Sequence, residues 1–165
     1  MSHRISLRRA AVSALVAGSL LAGLVPSTAG AATPRAGYYS GDTAQTIAPS
    51  DPSQQAEPGS VGFKVFKYGS STGPVRKVLS VTANTQLTCA SGEVREDLYT
   101  VYIIMGGKIN KYGKFRYVGN GFSIRGRFVT KTSARGTLTR TLGDCKAEGV
   151  SWTAKRSTGG LPIPS

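Results

Sequence analysis

Few residues of this chain carry groups that commonly do chemistry, and imidazole is the scarcest of them. His3 is the single histidine. It falls in an N-terminal stretch that reads as an export signal, so the processed chain has no imidazole to activate a Ser or Cys nucleophile or to ligate a metal. Carboxylates are the remaining candidates: Glu93, Glu96 and Asp97 in "SGEVREDLY", with Asp42 far upstream. Paired carboxylates suffice for glycoside hydrolysis, but no candidate nucleophile here has a recognisable activating partner. The acidic cluster also lacks the alternating Asp/Asn/Gly spacing of a calcium loop. It reads as an exposed turn beside Cys89 whose acids pair with Arg95 or with the basic face. The expectation is a protein with no catalytic constellation, no metal and no cofactor, and a carboxylate-dependent hydrolase is the weakest alternative.

Cys89 and Cys145 are the only cysteines. An even pair in an exported chain reads as one disulfide, and no CxxC spacing or nearby histidine suggests a zinc site. Closing so long a loop stabilises the fold by roughly 4 kcal/mol on loop-entropy grounds.

The third feature is "KYGKFRYVGNGFSIRGRF", residues 111–128, in which every charge is positive. Alternation puts Phe115, Tyr117, Phe122 and Ile124 on one face of a hairpin and Lys114, Arg116, Ser123, Arg125 and Arg127 on the other, with the turn at Gly119–Asn120 or Asn120–Gly121. A strand with one wet face always shows something polar to solvent, but alternation does not demand a single sign. Nine basic residues and no acid lie between Gly106 and Arg140. Such a face concentrates anions around it. Lys114, Arg116, Arg125, Arg127 and Lys131 are therefore the candidate polyanion-binding residues, for an anionic wall polymer, an acidic polysaccharide or lipid head groups. Nucleic acid fits less well, because base stacking calls for aromatics on the charged face, and here they lie opposite. The bland alternative is a basic surface that only keeps the protein soluble.

These side chains need elements to hold them. Arg4, Arg8 and Arg9, an apolar run from Ala10 to Val25 and the small residues Ala29-Gly30-Ala31 read as a secretory signal peptide over 1–32. Its apolar run is too short and too rich in Ala and Gly for a retained span, so the mature chain is expected to have no transmembrane segment and to be secreted and extracellular. Removing those three arginines takes the net charge from +13 to +10. About 130 residues remain, enough for one domain. Residues 33–60 form an N-terminal segment whose Pro/Ser/Gln-rich part, "TIAPSDPSQQAEPGS", reads as a loop, with a first strand at 37–43. Residues 61–156 form the β domain and 157–165 a loose tail. Within it, "VGFKVFKY", "VRKVLSVTA", "LYTVYIIM", "KFRYV", "GFSIRGRFVT", "RGTLTRT" and "GVSWTAKR" are short, β-branched and aromatic, bounded by Gly, Asn, Asp or Ser. No helical period follows the signal. The fold class expected is all-β: an antiparallel sandwich or small barrel of about seven or eight strands with one disulfide. Trp152 alternates with Val150 and Ala154 and is expected in the core.

"GFSIRGRF", "ARGTLTRT", the cysteine turn "GDCKAEG" and the closing "VSWTAKR" together resemble small exported β-rich proteins of actinobacteria, and "GYYSGDTAQ" is similar to the Tyr-x-Gly-x-Thr start of that group. The resemblance spans most of Tyr38 to Arg156, departing at the insertion over 47–60. It implies the same fold class and compartment and carries over no catalytic residue. The functional expectation is a secreted, non-enzymatic binding module with a basic sheet face. The alternative is a binder of proteins or small ligands, or an inhibitor of extracellular enzymes that uses the long segment at 33–60.

Overall fold

The computed structural model describes residues 32–49, 53–69, 74–103 and 107–159. All but the last residue of the expected signal peptide, and the end of the tail, lie outside them. Eight antiparallel strands account for nearly all of the regular structure: β1 (Gly37–Ile47), β2 (Glu57–Tyr68), β3 (Val75–Thr88), β4 (Val94–Tyr102), β5 (Lys114–Gly119), β6 (Phe122–Phe128), β7 (Ser133–Leu142) and β8 (Cys145–Arg156). They form one sheet in the order β4-β3-β2-β1-β8-β7-β6-β5.

The sheet curls into a small barrel with extra strands, which resolves the choice between sandwich and barrel. Two contacts join distant parts of the sheet. Thr88 at the end of β3 pairs with Lys146 at the start of β8. Residues 107–109 run beside the start of β3, where Val78 N–H donates to Gly107 O and Ile109 N–H to Arg76 O, and a turn in which Asn110 N–H donates to Lys114 O leads from them into β5. Closure of this kind pairs sheet edges that would otherwise be exposed.

Period-two patterning explains the strands. In β6, Phe122, Ile124, Gly126 and Phe128 are buried while Arg125 and Arg127 are exposed. The core is aromatic at its centre: Tyr39 stacks on Phe63 with centroids 5.2 Å apart. Phe115, Phe128 and Trp152 surround Phe63. Val61, Val78, Val81, Leu87, Ile103, Ile124 and Leu138 fill the remaining interior. Trp152 is buried, as alternation predicts. The disulfide Cys89–Cys145 is formed and ties the residue after β3 to the first residue of β8.

Several elements are longer than local pattern implies. The segment at 33–60 holds all of β1 and the start of β2, so the connection left between these strands is 48–56. β1 is a central strand between β2 and β8, and its Gly- and Thr-rich sequence is held by two neighbours rather than by its own propensity. β4 starts at Val94, not at Leu98. Glu96 and Asp97 thus sit in a strand paired with Gln86 and Thr85, instead of in a turn. The cysteine turn shrinks to Gly143–Asp144, and Cys145 already belongs to β8.

Candidate functional site

The hairpin of β5 and β6 turns on Asn120 and Gly121, both at positive φ (53° and 66°). Asn and Gly tolerate that conformation, and two such residues give the tight turn whose twist matches the strands. The resulting register places Lys114 opposite Arg127 and Arg116 opposite Arg125. The next strand extends the pattern, because Arg127 pairs with Arg135 and Gly126 with Gly136.

Phe115, Gly126, Gly136, Trp152 and Thr43 are successive partners across β5, β6, β7, β8 and β1. A Cβ at Gly126 would lie 2.5 Å from Phe115 Cζ and 2.8 Å from Trp152 Cη2, and one at Gly136 would lie 2.6 Å from Trp152 Cζ2. The two glycines therefore make room for the rings that fill the barrel beneath them. Since this row sends its side chains inward, its outer surface is bare backbone, and the residues on either side of it point to solvent. One flank carries Lys114, Arg127 and Arg135 and the other Arg116 and Arg125, all exposed. The flanks are two residues apart, roughly 7 Å. Between them an open groove of about 1110 Å³ runs from Lys108 and Asn110 over the glycines to Asp42 and Ala44 of β1.

The chemistry changes along the groove. On β7 and β8, Arg135 is opposite Thr153 and Thr137 opposite Ser151. On β1, Asp42 and Ala44 flank Thr43, the partner of Trp152. One flank thus reads cation, cation, cation, hydroxyl, carboxylate. The other reads cation, cation, hydroxyl, hydroxyl, methyl. Among the described residues, none of the groove cations forms a salt bridge; the three that exist are Arg95–Glu93, Arg140–Asp97 and Lys146–Glu148. Like charges placed directly opposite one another in a sheet are destabilising, and nothing within the described chain offsets them.

Of the five basic residues predicted from sequence, Lys114, Arg116, Arg125 and Arg127 come together along the groove. Lys131 does not line it. It lies in the connection after β6, where its carbonyl accepts from the Tyr39 hydroxyl (3.0 Å) and from Arg35 N–H (2.9 Å). Sequence reasoning did not single out Arg135, Lys108, Asp42, Thr137, Ser151 or Thr153 for this surface. Arg135 was within reach, because it alternates with the inward Ala134 and Gly136. The others depend on which strand lies beside which.

Arg140, counted with the basic window, is not on the wet face. It is 6 % exposed. Its Nε donates to Asp97 Oδ2 at 2.6 Å, its Nη1 donates to the carbonyls of Asn120 and Thr141, and its guanidinium lies 4.0 Å from the centre of the Tyr99 ring. Glu93 and Glu96 are also engaged. Glu93 accepts two hydrogen bonds from Arg95, which lower its pKa below the ordinary value. Glu96 accepts from Asn84 Nδ2 at 2.5 Å. Asp42 is the one carboxylate among the described groove residues. Cys89, Asp144 and Cys145 lie close enough to hold an ion, but both sulfurs are bonded to each other.

Trp152 Nε1 is buried and has no hydrogen-bond partner among the described residues. As the chain's only tryptophan, this residue is a built-in reporter on the groove. Among the described residues, no helix is long and apolar enough to cross a membrane. No protein-family model, curated protein or solved structure matches the chain.

Proposed function

We propose that this is a secreted, non-enzymatic binding module that holds an extended polyanion in the groove over β5–β8. The observation that carries the reading is the cross-strand ladder Lys114–Arg127–Arg135, beside Arg116–Arg125, with no acid paired to any of them among the described residues. A bound anion would offset the repulsion the ladder builds in. Guanidinium groups take carboxylate, sulfate or phosphate oxygens two at a time, and Arg supplies four of the five ladder positions. The trough shape favours a single chain lying between the flanks over a flat membrane surface. The aromatics of the hairpin are engaged in the core, which disfavours base stacking and so nucleic acid.

A carboxylate-dependent hydrolase has less support, since Glu93, Glu96 and Asp97 each have partners and Asp42 stands without a second acid among the described groove residues. The inhibitor reading loses most of its reactive segment to β1 and β2.

The test is elution from a heparin resin over a salt gradient. Changing Lys114, Arg116, Arg125 and Arg127 to Ser should move elution to markedly lower salt. A control of equal charge loss, Lys64, Lys67, Lys131 and Lys146 to Ser, should move it much less, because screened attraction falls off over about 8–10 Å. Equal shifts in the two variants would mean that net charge alone is at work and would remove the groove from the account.

A further inference from the structure

Resting on that reading, we infer that the groove is built for a linear anionic polysaccharide that carries both charged and neutral, hydroxyl-bearing sugars, and that Asp42 with Ser151 and Thr153 forms the subsite for a neutral sugar. Two observations lead there. The groove is electrostatically graded along its length: cations occupy β5, β6 and half of β7, whereas hydroxyls and one carboxylate occupy β8 and β1. A uniformly charged polymer such as polyphosphate would be matched at one end and opposed by Asp42 at the other. Asp42 also forms no salt bridge among the described residues, although it terminates the flank that carries Lys114, Arg127 and Arg135.

The chemistry of this end suits sugar hydroxyls. An ionised carboxylate is an acceptor only, so it takes O–H donors, and the Ser and Thr hydroxyls both donate and accept. Charge-assisted hydrogen bonds of this kind are roughly twice as strong as neutral ones. A site built to hydrogen-bond a hydroxyl discriminates sharply against a ligand lacking it. The dimensions suit a short segment of one chain: roughly 19 Å from β5 to β1, four inter-strand steps of about 4.8 Å, and roughly 7 Å between flanks. The row beneath the groove, Gly126 and Gly136 included, sends no side chain outward, so that chain can lie close to the sheet.

The experiment uses Trp152 fluorescence with three probes: short hyaluronan oligosaccharides, in which carboxylate and neutral sugars alternate; inorganic polyphosphate of similar length, which has charge without hydroxyls; and neutral cellodextrins. Wild type is measured beside Asp42→Ala and Arg127→Ser, with thermal melts confirming that each variant is folded. Asp42→Ala is expected to weaken hyaluronan binding at least tenfold while leaving polyphosphate binding unchanged or tighter. Arg127→Ser is expected to weaken both, and cellodextrins are expected to bind far more weakly than hyaluronan. If Asp42→Ala leaves hyaluronan binding unchanged or tightens it, the neutral-sugar subsite is overturned and the basic groove stands. The subsite is equally overturned, and the groove equally kept, if wild type binds polyphosphate but not hyaluronan. If Arg127→Ser alters neither anion, the subsite and the proposed function fall together.

Discussion

Arg135 and Arg140 stand five positions apart on β7 and live under opposite electrostatic conditions. Arg140 is buried at the end of the barrel, neutralised by Asp97 and hydrogen-bonded to two carbonyls. Arg135 is exposed beside Arg127, with no salt bridge among the described residues. The difference shows where this chain must settle its charges internally and where it leaves them for water or a ligand. A guanidinium taken out of water needs a counter-charge within the fold, whereas an exposed one is screened and can stay open to an outside anion.

The largest test of that contrast is Asp97→Ala. It strands the Arg140 charge in the barrel and is expected to cost about 3–5 kcal/mol in urea unfolding, whereas Asp97→Leu combined with Arg140→Met should recover most of the loss. Equal behaviour of the single and double variants would show that the pair is not a coupled unit.

Tyr39 provides a buried group that is polar but uncharged. Its one hydroxyl proton is shared between the carbonyls of Arg35 and Lys131, and Tyr39→Phe should cost about 1 kcal/mol. Desolvation raises its pKa above the usual 10.0. The unfolded phenol therefore loses its proton first on raising the pH, the folded state binds more protons there, and stability falls as pH climbs through about 10 and beyond. Tyr39→Phe should remove that alkaline decline from a plot of urea midpoint against pH. An unchanged slope would assign the decline to other groups.

On the groove side the expected sign reverses. Arg127→Thr relieves two like-charge pairs at once and should stabilise the free protein by a few tenths to about 1 kcal/mol, while weakening polyanion retention. Added salt should raise the melting temperature of wild type more than that of the variant. A destabilised variant with unchanged retention would contradict the functional reading of the ladder. Smallest of all, Glu93→Gln removes the charge of an exposed pair with Arg95 and should leave the urea midpoint unmoved, since such pairs contribute little in water.

How much of this could be read along the chain varies by residue. The hairpin was legible, because Asn120–Gly121 and the alternation around it are local signals that need no partner strand. The Cys89–Cys145 bond was too, since only one pairing exists. The inward face of Arg140 was available in principle: Ala134, Leu138 and Arg140 share parity, and an inward arginine implies a buried acid. Which acid could not be read, because β4 meets β7 only across the barrel. β1 was under-read for a related reason, as its Gly- and Thr-rich sequence becomes strand through its neighbours.

The sequence by itself determined which residues of the β5–β6 hairpin face outward and that the charges between Gly106 and Arg140 carry one sign, because side-chain direction in a strand follows from a period of two. Tertiary structure alone decided that three cations stand in one cross-strand line, that Asp42 ends that line some ninety residues upstream of Arg135, and that two glycines lie beneath the groove. Register and strand order are long-range facts. They are set by how the strands bury a shared core, and no local pattern in a single strand encodes its neighbour.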